Sequence, residues 1–427
     1  MIHVLKNSWA LFVGMFLLQL GNGMQGTALG LRGGVEEFDA STMGYVMAGY
    51  FLGFLGGAQA CPWMLRRVGH VRVFAALASL ISAIFIIYAW WVHPIGWFAM
   101  RVLVGFCFSG VYVVAESWLN DGVDNSNRGK ALSAYLIVQM AGIVLAQAMI
   151  NVASADGYVL FVIMSIAVSL AVTPILLSVS PVPMFEATKR MSLVELFHSS
   201  PLGCIGTFFL GAIFACLFGM AAVYGTEVGL STQEIAIFVG TIYLGGLVLQ
   251  YPIGWASDRM DRRSLIAITT AIGALAAAVT PLLGASFEVL LAAAFLIGGM
   301  ANPLYSLLLA HTNDFLEHDQ MASAAGGLVV LNGVGAAGMP VIVGYVMDLY
   351  GPNSFLWSIA LTMGIIACYS LYRMTKRAAT PVEETMPSAP IGMITTSVNA
   401  EYAQDVAIEQ ATAEEEDASW TPERENA

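Results

Sequence analysis

Twelve long apolar runs, separated by short charged segments, are the feature that most constrains how this chain folds. Each run has about 20 mostly apolar residues, the length that an α-helix needs to cross the hydrocarbon core of a bilayer. The runs lack the apolar–polar alternation of a transmembrane β-strand, so helices are predicted and an outer-membrane barrel is not. The approximate limits of the runs are 9–31, 43–64, 73–92, 97–119, 131–152, 158–178, 203–226, 234–256, 264–284, 288–311, 323–346 and 353–373. The sequence therefore predicts an all-α membrane protein.

Basic residues indicate how these spans are oriented. Lys and Arg near the ends of spans are retained on the cytoplasmic side of a membrane. If both termini are cytoplasmic, all but two of the 17 Lys and Arg residues fall on that side, the exceptions being Arg32 and Arg101. We therefore expect a multi-pass protein of the cytoplasmic (inner) membrane with both termini in the cytoplasm.

The two halves of the chain resemble one another. Residues 101–121 align with 294–314 at an offset of 193, and 50–53 align with 242–245 at an offset of 192. Offsets that agree to within one residue across separate spans predict two six-helix bundles related by an axis along the membrane normal.

The segments outside the repeats differ in character. Between the halves, Ser192 and Glu195 have the spacing of a capping box at the start of a short surface helix. The C-terminal segment is rich in acidic residues and poor in large apolar ones, which predicts disorder. The predicted organisation is an N-terminal bundle over 1–178, a cytoplasmic linker over 179–200, a C-terminal bundle over 201–377 and an acidic disordered cytoplasmic tail over 378–427.

A charged motif follows the eighth span. Residues Gly254, Asp258, Arg259, Arg262 and Arg263 match the pattern G-x-x-x-D-R-x-G-R-[RK], except that an aspartate replaces the second glycine. The major facilitator superfamily places this motif after its second helix and often repeats it after the eighth. Residues 1–377 resemble that superfamily as a whole. The resemblance implies the MFS fold, with 12 transmembrane helices in two pseudo-symmetric six-helix bundles, and secondary transport by alternating access.

The copy of the motif after the second span is degraded. Pro62 stands where the glycine is expected and Arg66 where the aspartate is expected, whereas Arg67 and Gly69 are retained. This departure suggests that gating in the N-terminal half is arranged differently.

Charged groups at the cytoplasmic ends of the spans are predicted to close that side of the transporter. Glu116 and Arg128-Gly129 resemble the E…R-G pattern of sugar porters, where both groups join a cytoplasmic charge network. We expect Glu116 to face Arg66, Arg67 or Arg128, the alternative being that it reaches water. The predicted cytoplasmic gate consists of Asp258, Arg259, Arg262, Arg263, Arg67, Glu116 and Arg128.

Arg101 is the one clear ionisable residue inside a predicted span, and such a residue is costly enough to suggest a function. It resembles the start of the R-x-x-Q-G motif linked to proton coupling, with Val104 in place of Gln. The alternative is that its long side chain extends to the membrane surface.

Polar residues on several spans are candidates for the same site. In the first span, polar amides recur at every third position and share one inclined face. The predicted substrate or coupling residues are Arg101, Gln19, Asn22, Gln25, Tyr112, Asn302, Tyr305 and Asn332. Hydrogen bonds between helices are the alternative role for these groups.

The absence of a secure acidic residue at mid-membrane argues against a polycationic substrate. A small polar or anionic organic solute is predicted. Its identity, the direction of transport, the coupling ion and proton symport stay open.

 Uniport or export by the same fold is one alternative, and a transport-inactive sensor is another.

No P-loop, catalytic cluster or metal-ligand spacing is found in the sequence, so no enzyme activity, cofactor or metal is predicted. The expected partners are the solute and the lipid bilayer, without nucleic acid, and the protein is expected to be a monomer.

Overall fold

The computed structural model describes residues 2–121, 123, 127–177, 191–284, 286–377 and 396–419. Regular structure in these residues is helical throughout, as expected for a membrane chain whose backbone groups must be hydrogen-bonded within each segment. The N-terminal half contains α1 (Ile2–Val35), α2 (Ala40–Val68), α3 (His70–Trp90), α4 (Pro94–Asp121), α5 (Arg128–Met149) and α6 (Val159–Leu177). The rest contains α7 (Leu193–Ser199), α8 (Pro201–Ala215), α9 (Ala221–Glu227), α10 (Thr232–Ser257), α11 (Arg262–Leu282), α12 (Phe287–Ala301), α13 (Leu304–Asn313), α14 (His318–Tyr350), α15 (Ser354–Met374) and α16 (Ser397–Ser419).

Ten helical segments of the described residues are long and apolar enough to cross a membrane. Two of them are interrupted: Pro201–Glu227 by a π-helical turn at Cys216–Met220, and Phe287–Asn313 near Pro303, which lacks a backbone N–H. Helices α1 and α2 have spanning length but are less apolar, because α1 carries amide side chains and α2 is rich in glycine. With these two, each half has six spanning helices, so the predicted all-α fold of two six-helix bundles is confirmed.

Equivalent glycines hold equivalent helices together in the two halves. Between α2 and α4, a Cβ added to Gly105 would lie only 1.9 Å from the carbonyl oxygen of Tyr50. Between α10 and α12, a Cβ added to Gly298 would lie 2.1 Å from the carbonyl oxygen of Ile242. Small residues permit such close helix packing. Gly105 and Gly298 are related by the predicted repeat offset, so the repeat in sequence is also a repeat in packing.

The segment between the halves begins its helix as predicted. Ser192 accepts a hydrogen bond from the backbone N–H of Glu195, and Glu195 accepts one from the backbone N–H of Ser192. This capping box starts α7. Positions 179–190 of the predicted linker lie outside the described residues.

The sequence predicted that the C-terminal segment is disordered. That prediction does not hold for Ser397–Ser419. These residues form α16, whose small and apolar residues on one side are buried against the bundle. The acidic composition concealed this face because Ala, rather than Leu or Ile, supplies much of it. The buried apolar residues are Ala400, Tyr402, Ala403, Val406 and Ala407. Positions 378–395 and 420–427 lie outside the described residues.

The two ends of the bundle differ in how the halves meet. We call the end with Arg66, Arg128 and Arg262 the basic end, and the opposite end the far end. At the far end, the carboxylate of Asp348 on α14 accepts hydrogen bonds of 3.0 Å from the backbone N–H groups of Ala40 and Ser41, at the start of α2. This contact joins the halves, and the helix N-terminus favours the negative charge.

Close backbone packing extends the far-end contact. A Cβ added to Gly44 would lie 2.4 Å from the carbonyl oxygen of Pro340, and one added to Gly344 would lie 2.3 Å from that of Ala40. Helices α2 and α14 therefore meet without intervening side chains. The far end is closed, whereas α16 lies between the halves at the basic end.

Candidate functional site

A hydrogen-bonded cluster joins α1 to α4 inside the N-terminal half. The amide of Asn22 donates to the hydroxyl of Tyr112 at 2.7 Å, and Tyr112 donates to the side-chain oxygen of Gln19 at 2.8 Å. Gln25 donates to the side-chain oxygen of Asn22. These α1 amides lie on one helix face because they are three residues apart. The structure thus brings together four of the predicted residues.

Arg101 on α4 joins the same cluster. Its guanidinium donates to the side-chain oxygen of Gln25 at 3.0 Å and to the sulfur of Met47 at 3.5 Å. It also lies over the ring of Tyr50, 4.8 Å from the centroid, as in a cation–π contact. Arg101 is only 3% exposed, so its side chain is directed into the protein rather than extended to the surface.

The charge of Arg101 lacks an acidic counterpart in this structure. None of the ion pairs formed by the described residues involves Arg101, and its Nε has no hydrogen-bond partner among them. A charge inside the membrane costs at least about 2.5–3.5 kcal/mol when it is not compensated. The site is therefore suited to an anionic group.

A cavity adjoins this guanidinium. It has an empty volume of about 500 Å³, and Asn22, Gln25 and Arg101 contribute polar groups to its wall. From the C-terminal half, Phe218 and Tyr243 complete the wall, with their rings stacked 5.2 Å apart. The cavity therefore lies between the two halves.

Three other predicted site residues lie apart from this cluster. Asn302 donates to the side-chain oxygen of Gln250 at 3.0 Å, which is a contact between helices. Tyr305 is buried. Asn332 donates to the backbone oxygen of Thr207 at 3.3 Å and lines a second, larger cavity between the halves. Neither Asn302 nor Tyr305 is among the described residues that line this cavity or the one beside Arg101.

Sequence reasoning missed several residues of the site, notably Tyr50, Met47, Phe218 and Tyr243. Tyr50 donates to the side-chain oxygen of Asn22 at 3.3 Å and contacts Arg101 through its ring. The repeated segments 50–53 and 242–245 contain Tyr50 and Tyr243, so the repeat was the available signal. Apolar residues such as Met47 and Phe218 gave none in so apolar a chain.

The motif arginines at the basic end bind partners within the C-terminal half. Arg262 forms an ion pair with Asp314, both nearly fully buried, and lies 3.9 Å from Asp258. Arg263 forms an ion pair of 3.1 Å with Asp261 and donates to the backbone oxygen of Arg377 at 2.6 Å. These contacts fix the α10–α11 turn to α13 and to the end of α15.

The pKa of Asp261 reflects its position in this turn. Burial raises the pKa, but hydrogen bonds from Arg263 and Ser264 outweigh that effect and hold it below the ordinary value for Asp. The side chain of Asp261 also caps α11 by accepting from the backbone N–H of Arg263.

The two remaining motif arginines lie over the rings of tryptophans four residues earlier in the chain. Arg67 lies 5.3 Å from the ring centroid of Trp63, and Arg259 lies 4.4 Å from that of Trp255. Both arginines are exposed at the basic end.

Glu116 and Arg128 contact the C-terminal segment, which differs from the predicted pairing of Glu116 with an arginine. Glu116 is 1% exposed and accepts hydrogen bonds from the hydroxyls of Tyr135 and Thr396. Arg128 forms ion pairs with Asp405 at 3.6 Å and Glu409 at 3.3 Å. Sequence spacing gave no signal for the contacts with Thr396, Asp405 and Glu409 because these partners are more than 270 residues away.

The described residues offer no group of three or more His, Cys, Asp or Glu side chains placed to hold a metal ion. The polar groups of the central site are amides, phenols and one guanidinium. Such a set can bind and orient a solute by hydrogen bonds and charge.

Comparison with known proteins gives the family. The profile of the Major Facilitator Superfamily matches residues 11–224 and, in a second match, residues 203–400. The chain belongs to the Major Facilitator Superfamily. It is accordingly a multi-pass membrane protein of a transporter family, and the resemblance seen in the motif is confirmed.

Relatives and solved structures agree with this assignment. An uncharacterized MFS-type transporter YcaD of Escherichia fergusonii is 23% identical over 382 residues, covering 87% of this chain and 97% of that protein. An uncharacterized MFS-type transporter of Enterobacter sp. (strain 638) is 27% identical over 387 residues, with the same coverage.

Two solved structures share the fold. The nucleoside transporter NupG has a TM-score of 0.73 at 14% identity, covering 87% of this chain and 99% of NupG. A bacterial homologue of the human lysosomal transporter Spinster, in an inward-facing and unoccupied conformation, has a TM-score of 0.63 at 15% identity, covering 98% of both chains.

Proposed function

We propose that this chain is a secondary transporter that moves a small polar or anionic organic solute across the cytoplasmic membrane by alternating access. The solute binds beside Arg101 in the cavity between the halves. The basic end faces the cytoplasm, because basic residues near span ends are retained there. The observation that carries this proposal is a buried guanidinium beside a cavity, with no ion pair among the described residues.

A carboxylate or phosphate is the anion that this site would accept. Arg presents several N–H donors in a planar arrangement that matches both groups. Gln25 holds one guanidinium nitrogen in place, while Nε has no partner among the described residues. A neutral polar solute is the second candidate, since Asn22 and Gln25 also line the cavity. The similarity in fold to a nucleoside transporter is compatible with this second candidate.

The closed far end and the cavity between the halves support alternating access. In the opposite state, the far-end contacts of Asp348 would break and the basic end would close. We place the predicted cytoplasmic gate in that state. Arg67 and Arg259 are exposed here and are available to approach the opposite half.

A ligand screen followed by transport tests this proposal. Purified wild-type protein and Arg101→Gln are compared by thermal shift against pools of metabolites. We expect hits that are anionic or polar and that are lost or weakened in Arg101→Gln. Each hit is then tested for uptake into proteoliposomes, with and without an imposed proton gradient.

The outcomes separate the alternatives. Uptake that follows the proton gradient indicates symport, and uptake that ignores it indicates uniport. Hits that do not depend on Arg101 would contradict the proposed site. Binding without any flux would favour the transport-inactive sensor.

A further inference from the structure

The cavity beside Arg101 adjoins a larger cavity that reaches towards the basic end. Three residues line both cavities: Tyr50, Phe51 and Phe218. The larger cavity has an empty volume of about 800 Å³ and extends to Ser397 at the start of α16. These three side chains form the wall that the two cavities share, so a solute bound at Arg101 lies beside the larger cavity.

The wall of the larger cavity is mainly aromatic and aliphatic. Phe54, Phe214 and Val329 are among its lining residues, and none of the described residues that line it is charged. On α2 the lining runs from Tyr50 to Gln59, nine residues along the helix, or about 13 Å at 1.5 Å per residue. The two cavities together form a site with one cationic end and one long apolar end.

We infer that the solute is an organic monoanion with an aromatic or other bulky apolar body. The anionic group binds Arg101 and the body packs among Phe51, Phe54 and Phe218. Offset or edge-to-face contacts with these rings favour an aromatic body. A body covered with hydroxyls would lose hydrogen bonds to water against this wall. The inference rests on the proposed function and narrows its solute class.

A matched set of small probes tests the inference. Binding of butyrate, 4-phenylbutyrate, 4-phenylbutanol and 4-phenylbutylamine to the purified full chain is measured by isothermal titration calorimetry. We expect 4-phenylbutyrate to bind at least tenfold more tightly than butyrate, and more tightly than the alcohol or the amine. Tenfold corresponds to about 1.4 kcal/mol, just below the range of about 1.5–3 kcal/mol for fully burying one large apolar side chain.

Two variants test which part of the site binds each end of the probe. Phe54→Ala should reduce the advantage of 4-phenylbutyrate over butyrate, whereas Arg101→Gln should weaken both. Leu52→Ala is the control, because Leu52 is exposed on the same helix and lines neither cavity.

Failure of this inference differs from failure of the proposed function. Equal responses to butyrate and 4-phenylbutyrate, including no response to either, overturn the inference. So does preferential binding of the amine. The proposed function survives those results if the metabolite screen yields solutes whose binding depends on Arg101.

Helix α16 carries a second inference, independent of the solute. It contacts both halves at the basic end: Tyr402 donates to the backbone oxygen of Arg128 at 3.0 Å, and Gln404 donates to the side-chain oxygen of Asn313 at 3.2 Å. Thr396, just before α16, donates to Glu116. Ser397 lines the larger cavity.

We propose that α16 covers the basic-end mouth of the larger cavity. In this proposal α16 moves away from the mouth before solute passes through it. Relative motion of the halves at this end would break one or the other set of contacts, because α16 is bound to both. The ion pairs of Arg128 with Asp405 and Glu409 hold the cover in place.

Thiol labelling tests this cover without a known solute. Val329 lines the larger cavity and is only 8% exposed, so Val329→Cys is introduced into the full chain with Cys368→Ser, which removes the one exposed native cysteine. Labelling by a membrane-impermeant maleimide is then timed. Asp405→Asn with Glu409→Gln should accelerate it about fivefold, the effect expected from losing two partly exposed ion pairs.

Two further variants keep the test decisive. Tyr402→Phe removes the donor to Arg128 but keeps the ring, and should accelerate labelling to a smaller extent. Glu317→Gln removes an exposed carboxylate at the same end and should leave the rate unchanged. Equal labelling rates in the wild-type background and in the Asp405/Glu409 variant would overturn the proposal.

Discussion

Replacing Arg101 should weaken solute binding but leave the stability of the fold nearly unchanged. In Arg101→Met, the solute loses a hydrogen bond to a charged group, which is worth about 1.5–3 kcal/mol. Affinity for an anionic solute should therefore fall about 10- to 150-fold. Arg101→Lys keeps the charge without the planar set of donors and should show an intermediate loss.

The effect on folding should be small. Removing the guanidinium leaves the side-chain oxygen of Gln25 without this donor, at a cost of about 1–3 kcal/mol. It also removes a buried charge whose placement inside the membrane costs about 2.5–3.5 kcal/mol. These terms nearly cancel, so Arg101→Met should unfold at about the wild-type temperature, or slightly above it.

The assay measures binding by calorimetry and unfolding by intrinsic fluorescence on the same detergent-purified samples. Loss of binding in Arg101→Met at an unchanged unfolding temperature would show that Arg101 acts in solute binding. Retained binding, or a large fall in unfolding temperature, would refute this reasoning and indicate a structural role.

Three other perturbations test the structure itself. Asp348→Asn weakens the cap on α2, worth about 0.5–2 kcal/mol, and should speed labelling of a cavity cysteine from the far side; an unchanged rate would argue against far-end closure by this residue. Gly105→Ala should prevent normal folding because its Cβ would overlap the backbone of Tyr50, whereas Gly326→Ala has open space and should be tolerated; equal expression of the folded variants would contradict this packing. Arg262→Gln or Asp314→Asn alone should cost about 3–5 kcal/mol of unfolding free energy, and the double variant should cost less than the sum; additive losses would show that the buried pair is not coupled.

The sequence predicted the features that depend on local pattern or on the repeat. Continuous apolar runs marked the spans because lipid requires helices of that length. The three-residue spacing of Gln19, Asn22 and Gln25 predicted a shared face, and the structure joins that face to Arg101 and Tyr112. The repeat also aligned Gly105 with Gly298.

Contacts between distant segments could not be predicted in the same way. Glu116 accepts from Thr396, just before α16, and Arg128 pairs with Glu409 on α16. The acidic composition of α16 resembles that of a disordered segment, although its buried face contains small residues. Asp348 caps a helix in the other half, and nothing in its local sequence indicates that role. Such contacts depend on how the two bundles are placed together.

The most direct test of alternating access is a pair of distances measured by double electron–electron resonance in lipid bilayers, in a Cys368→Ser background. One pair of spin labels, at Ser41→Cys and Tyr350→Cys, reports on the far end, and another, at Arg66→Cys and Arg259→Cys, reports on the basic end. The account predicts two populations in which a short far-end distance accompanies a long basic-end distance, and the reverse. Distances that stay fixed, or that lengthen together at both ends, would contradict it.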